Sequence, residues 1–337
     1  MTPNASPGMR PAPLLGLLAL AVLALTIVSM AVGYAPLPLG EAVTDLLAGQ
    51  KSLPALVFYE LRLPRALLGV LVGFSLGMAG AAMQGLLRNP LAEPGVIGIS
   101  SAAAFGAVLA FYSGLSASLA LVLPLGGIAG ALVATVILFI LLGRGASTTT
   151  LILAGVALNS FAGAATALAL NLAPNPYAAL EIVFWLMGSL ADRSMNHVAL
   201  ALPLMLLGWA LLASTAPALD ALGLGEDTAA SLGFDLGWLR ARLIGGAALA
   251  VGSAVAVTGA IGFVGLVVPH LLRPLVGHRP GRLLIASGFG GAILVLAADI
   301  GVRLVPVRPE LKLGVVTALI GAPFLFALVQ RLRREAV

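Results

Sequence analysis

Long apolar runs recur along almost the whole chain, and no other feature limits the fold as strongly. Read with their Gly and Pro interruptions, they fall near 14–34, 65–86, 95–112, 119–142, 149–171, 195–216, 242–262, 264–277, 283–302 and 312–331. Runs of about 18 or more apolar residues are what cross a hydrocarbon core roughly 30 Å thick. Of 337 residues 60% are hydrophobic and only 9% charged, too few charges to coat a soluble body of this size. Backbone groups in lipid must be satisfied by helices or by a closed barrel, and the runs lack the period-two alternation of barrel strands. The expectation is an all-α polytopic membrane protein of about ten transmembrane helices. The first run, Leu14 to Met30, has no evident small-residue cleavage site and is read as a retained first helix.

The formal charge of +5 comes from basic residues dispersed at the ends of the runs, without aromatic interleaving. That pattern fits lipid-facing topology and not a nucleic-acid surface. With the N-terminus inside, ten basic residues fall on the inner side, including Arg10, Arg88, Arg144, Arg240 and Arg279, against seven outside: Lys51, Arg62, Arg65, Arg193, Arg303, Arg308 and Lys312. The bias agrees with the positive-inside rule, and the outer arginines ask for a use of their own. The chain has no Cys, no His pair at ligand spacing and no acid near His270 in sequence. No metal or other cofactor is therefore expected. Neither a Gly-x-x-x-x-Gly-Lys-Ser/Thr phosphate loop nor a Ser/His/Asp or His-Glu-x-x-His constellation is present, so the chain is not expected to be an enzyme by itself.

A shift of 179 residues lays Val72, Gly73, Gly80, Ala81, Leu87 and Pro90 over Val251, Gly252, Gly259, Ala260, Leu266 and Pro269. Five spans separate the second helix from the seventh, so the matched helices run in opposite directions. The pattern predicts two inverted five-helix repeats, as in many transport proteins. Gly69, Gly73, Gly77 and Gly80 also line one face of the second helix and would let a neighbour pack closely.

Three motifs carry more specific information. The first is Leu61-Arg62-Leu63-Pro64-Arg65, followed by Met83-Gln84-Gly85-Leu86-Leu87-Arg88-Asn89-Pro90-Leu91-Ala92-Glu93-Pro94-Gly95. The second is Leu153-Ala154-Gly155-Val156-Ala157-Leu158-Asn159, with Trp185-Leu186-Met187-Gly188-Ser189-Leu190 after it. The third runs from Gly225-Glu226-Asp227 through Ala260-Ile261-Gly262-Phe263 and Pro269-His270 to Ala298-Asp299 and Gly314 to Pro323. In this order, over about residues 55 to 332, they resemble the permease subunits of bacterial ABC importers for ferric siderophores, haem and cobalamin.

That resemblance implies a single permease domain over residues 1–337, placed in the bacterial inner membrane as a homodimer around a central pathway. It also implies two separate ATP-binding subunits inside and a soluble or lipid-anchored substrate-binding protein outside. The connection near 218–239 is the implied coupling segment, with Glu226, Asp227, Ala230, Leu232 and Gly233 as contacts to the ATPase. Its residues independently read as a short capped helix, with acids in the first turn and Gly at the end. Arg62, Arg65 and Arg303 are the implied docking groups for acidic side chains of the binding protein. Snorkelling to headgroups, or pairing with Glu60 and Asp299, is the structural alternative. The pathway is expected to be weakly polar, lined by the fifth and tenth helices with Asn159, Ser160, Thr317 and Gly321. Gln84 and Asn159 are read as interhelical hydrogen-bonding groups, and Pro269-His270 as a helix break. The cargo expected is an iron chelate, with cobalamin as the alternative within the family. An ion-coupled secondary transporter is the rival class, but the ionisable midplane groups it needs are scarce here.

Overall fold

Every span must satisfy its backbone hydrogen bonds internally, and the chain does so with helices alone among the described residues. The computed structural model describes residues 11–33, 36–114, 121–143 and 147–335; Arg10 and Arg144, counted above on the inner side, lie outside them. Helix α1 (Pro11–Ala31) is followed by two short outer helices, α2 (Leu39–Leu47) and α3 (Leu53–Val57). A π-helical turn, Phe58–Arg62, leads from α3 into α4 (Leu63–Leu86). Then come α5 (Ile99–Tyr112), α6 (Val122–Leu142), α7 (Thr148–Asn171), α8 (Pro176–Leu186) and α9 (Met195–Ser214). The connector holds α10 (Ala216–Leu222) and α11 (Glu226–Ser231), and the chain closes with α12 (Leu236–Thr258), α13 (Val264–Leu272), α14 (Pro280–Leu304) and α15 (Leu313–Glu335).

Among the described residues, eight helices are long and apolar enough to cross a membrane. The runs near 95–112 and 264–277 form only 14-residue α5 and 9-residue α13, about 21 and 14 Å long at 1.5 Å per residue. Such short pieces are tolerated because protein surrounds them. All six residues from Val264 to Pro269 are buried, against α4 and α14 among others; in the non-helical residues 259–263 before them Gly259 and Ile261 are buried and Ala260 is exposed.

The helices sort into an inner and an outer layer by side-chain size. In the apolar windows of α4 and α12, 78% of residues are buried, against 17% in α1 and 22% in α7 and α15. The two inner helices are those that the 179-residue shift superimposes. Small residues put them there. A methyl group at Gly77 would overlap the Ser287 carbonyl, one at Gly73 the Gly291 carbonyl and one at Gly80 the Gly265 carbonyl. The packing of α4 on α14, the most extensive among the described residues, and on α13 at Gly80 is thus backbone against backbone, which dispersion favours where lipid removes the hydrophobic drive. The outer helices expose large side chains such as Leu153, Phe161, Leu319 and Phe326, as a surface facing lipid or another apolar surface requires.

Pro269 does not break a helix: it sits inside α13, and the break lies earlier, at 259–263. A proline cannot donate to the carbonyl four residues before it. The Gly265 carbonyl thus freed, with that of Leu266, accepts from Gln84 Nε2 at 3.4 and 3.3 Å. Gln84, 1% exposed, is an interhelical hydrogen-bonding group, and it makes the proline tolerable at this depth.

Candidate functional site

Three places in the fold concentrate the residues singled out by sequence. At the outer end, Arg65 of α4 donates to both oxygens of Asp299 at 2.8–3.2 Å and to Glu310, with its Nη1 at 3.2 Å from Glu310 Oε2. Arg303 pairs with Asp299 at 2.8 Å one helical turn away, and donates to the Ser29 and Val32 carbonyls and to Ser29 Oγ, each at 2.7 Å. Arg62 donates to the Val32 carbonyl. Three guanidiniums and two carboxylates therefore join the C-terminal end of α1 to α4, α14 and the loop before α15. Arg62, Arg303 and Asp299 are 8%, 6% and 1% exposed. The sequence places the three arginines on an open outer face; the structure folds them into a buried network that includes the Asp299 partner named as the alternative. Glu310 completes it, and nothing in its local sequence signals that.

The second set of residues lies on α7 and α15. Asn159 and Ser160 are exposed on α7, and Asn159 accepts from the Ser101 hydroxyl of α5. Thr317 and Gly321 are not on the open face of α15. Thr317 is 2% exposed and donates to the Gly314 carbonyl at 3.1 Å, and Gly321 is pressed against the Phe263 side chain. The exposed side of α15 instead borders a cavity of about 640 Å³, walled by Met187, Ala260, Val315, Ala318, Leu319 and Phe326 among others. No ionisable side chain lines it. The second and third motifs meet here: the Ser189 N–H donates to the Thr258 carbonyl at 2.7 Å, and the Gly314 N–H to that of Gly188 at 3.4 Å. Glu93, in the α4–α5 connection, accepts from the Phe263 N–H at 2.9 Å, holding a residue with φ of 68°. Burial keeps the Glu93 carboxyl above the usual carboxylate range, an effect partly offset by that bond.

The third place is the inner connector. Gly225 starts α11 at φ 124°, and Gly233 ends it at φ 87°, where the N–H groups of Gly233 and Phe234 return to the carbonyls of Ala230 and Ala229; only glycine adopts such angles without strain. Glu226 is not free. It accepts from Arg240 of α12 at 3.1 Å on both oxygens and from Thr148 of α7 at 3.3 Å. Asp227, Ala230, Leu232 and Gly233 are exposed, and Ala229 is the residue buried beneath them. Sequence reasoning missed Leu224 and Trp238, 73% and 66% exposed on the same connector; their one signal was the Asp, Glu, Thr and Ser residues interspersed around them. Among the described residues no three His, Cys, Asp or Glu side chains are grouped so as to hold a metal ion.

An apolar cavity wall, a buried charge network on one side and a braced exposed helix on the other fit a conduit with a handle. Comparison with known proteins agrees. The sequence matches the FecCD transport family over residues 20–331. It is 40% identical over 296 residues to the vitamin B12 import system permease protein BtuC of Vibrio cholerae, covering 86% of this chain and 88% of that one. It is 38% identical over 316 residues to the Fe(3+) dicitrate transport system permease protein FecD of Escherichia coli, covering 93% and 97%. A metal-chelate type ABC transporter solved in an inward-facing conformation superimposes with a TM-score of 0.82 at 31% identity, over 95% of this chain and 99% of that one.

Proposed function

The chain belongs to the FecCD transport family and is a multi-pass membrane permease of the ABC importer type; we propose that it carries an iron chelate across the bacterial inner membrane as a homodimer powered by two separate ATP-binding subunits. The observation that carries the energy-coupling part is α11. A six-residue helix held to α12 and α7 through Glu226 transmits a push, whereas an unattached loop absorbs it. Asp227, Ala230, Leu232 and Gly233 then form the face that seats in the ATPase, with Leu224 and Trp238 extending it. The segment 218–239 is the coupling element of one permease domain spanning residues 1–337.

The pathway runs between two copies, along α15 and along α7 with Asn159 and Ser160. A wall without ionisable groups suits a bulky chelate, which needs a smooth passage more than a ligand cage, and offers nothing to a coupling ion. A soluble or lipid-anchored binding protein delivers cargo at the outer face. Docking by Arg62, Arg65 and Arg303 then works by exchange of partners: an acid on the binding protein takes over donors that Arg65 now gives to Glu310, the outermost carboxylate. The similarity to the Vibrio vitamin B12 permease favours a corrinoid as the second reading. Uptake of labelled ferric siderophore, haem and cobalamin by cells lacking their own importers, with the chain and its partner subunits supplied, decides between them. Iron-chelate uptake that requires all components is the expected result; cobalamin uptake alone establishes the second reading, and uptake of none of the three overturns both.

A further inference from the structure

Where the inner ends of α4, α13 and α14 meet α10, a cavity of about 610 Å³ is lined by Arg88, Asp220, Leu224, Arg273, His278 and Arg279 among others. Its size lies in the range of small-molecule sites, roughly 300–1,000 Å³. Three arginines face one acid across it. Asp220 is already engaged, accepting from the Gly281 N–H at 2.7 Å, and among the described residues none of the three arginines has an ion-pair partner. Arg273 spends one nitrogen on Gln84 Oε1 at 2.6 Å, while its buried Nε has no hydrogen-bond partner. A buried guanidinium N–H without an acceptor is costly and rare. The conduit and the outer network make no use of this cluster, which adjoins the α11 connector at Leu224.

We propose that this cavity binds the phosphate of an anionic membrane lipid. Arg273 is the inner contact, held in place by Gln84, and Arg88 and Arg279, both exposed at the rim, supply the long-range attraction. Guanidinium forks match phosphate oxygens, and basic pockets between helices on the cytoplasmic side are where lipid headgroups are recognised. Leu271 and Leu275, flanking Arg273 on the same segment, are 56% and 39% exposed and offer apolar surface for the acyl chains. A free inorganic phosphate shares the headgroup chemistry but has no use for those leucines. The assignment is independent of the cargo; the cavity shares Leu224 with the face proposed for the ATPase, so the chain is tested without its ATP-binding subunits.

The test is native mass spectrometry of the full-length purified chain after exchange into mixed phosphatidylglycerol and phosphatidylcholine micelles, with thermal unfolding in lipid-free detergent plus inorganic phosphate as a second arm. The wild type should retain phosphatidylglycerol in preference to phosphatidylcholine. Each rim arginine contributes about fivefold to attraction of an anionic lipid, so the R88A/R279A variant should lose about 30-fold in retention. Both residues are exposed, so this variant folds; Arg273→Lys, which keeps the charge but loses the fork, should lower retention less. Equal retention of the two lipids by the wild type, or R88A/R279A matching it, overturns the proposal. Stabilisation by millimolar inorganic phosphate without lipid preference assigns the cavity to a soluble anion and overturns the lipid source.

Discussion

Replacing Asp299 by Ala should destabilise the protein by about 3 kcal/mol, the lower end of the roughly 3–5 kcal/mol for removing one partner of a buried ion pair. The lower end follows from the geometry. The network holds three guanidiniums and two carboxylates, and Asp299 pairs with both Arg65 and Arg303 at 2.8 Å, at side-chain exposures of 2%, 13% and 3%. Without it Arg65 keeps Glu310, and Arg303 keeps three neutral acceptors at 2.7 Å. Hydrogen bonds mostly survive, then, but three positive charges face one negative. With an unfolding entropy near 2.1 cal/mol/K per residue, 3 kcal/mol over a chain of this length lowers Tm by about 4 °C. Arg303→Met in the same background removes the uncompensated charge, so the double variant should be less unstable than the sum of the singles by about 1–3 kcal/mol. Thermal unfolding of the detergent-solubilised wild type, both singles and the double measures this cycle. Additive losses, or an Asp299→Ala Tm within about 1 °C of wild type, would refute the reasoning.

Three further outcomes follow from the other sites. Ala230→Trp on the open face of α11 should abolish permease-stimulated ATP hydrolysis with Tm unchanged, whereas Ala229→Trp, beneath it, should prevent stable folding; equal behaviour in thermal melts and ATPase assays contradicts the assignment of faces. Gln84→Leu removes the bonds to the Gly265 and Leu266 carbonyls and to Arg273, and at about 1 kcal/mol or more per orphaned buried group should cost about 3 kcal/mol in denaturant unfolding. Glu310→Gln removes the competitor for Arg65 and should strengthen binding-protein association, most at low ionic strength where charge is least screened; weaker or unaltered association in a titration at low salt counts against docking by exchange.

The spans were legible because lipid enforces one rule over long windows, and the inner helices because Gly73, Gly77 and Gly80 share a face that only another backbone can approach. Faces of outer helices were harder. On α15 the open side runs through Val315, Leu319 and Phe326, and Thr317 lies about 200° around the helix from Val315 at 100° per residue; its hydroxyl suggested a pathway group but bonds to its own backbone. The Pro269 break was misplaced because the compensating donor, Gln84, is 185 residues earlier in the chain. The same distance problem hid the outer network, in which Arg65 and Asp299 are 234 residues apart. Helix α8 was readable in principle, since Asn175 before Pro176 is a capping signal and the Asn side chain does accept from the Ala178 N–H at 2.9 Å.

The central claim is that ATP hydrolysis on partner subunits, delivered through α11, drives cargo through a conduit with no coupling ion of its own. Proteoliposomes holding the chain, with and without its ATP-binding subunits, test it by uptake of labelled chelate in the presence of binding protein. Uptake that requires the ATPase and ATP, and that is lost in Ala230→Trp, is the predicted result; uptake driven by a proton or sodium gradient without the ATPase would contradict it.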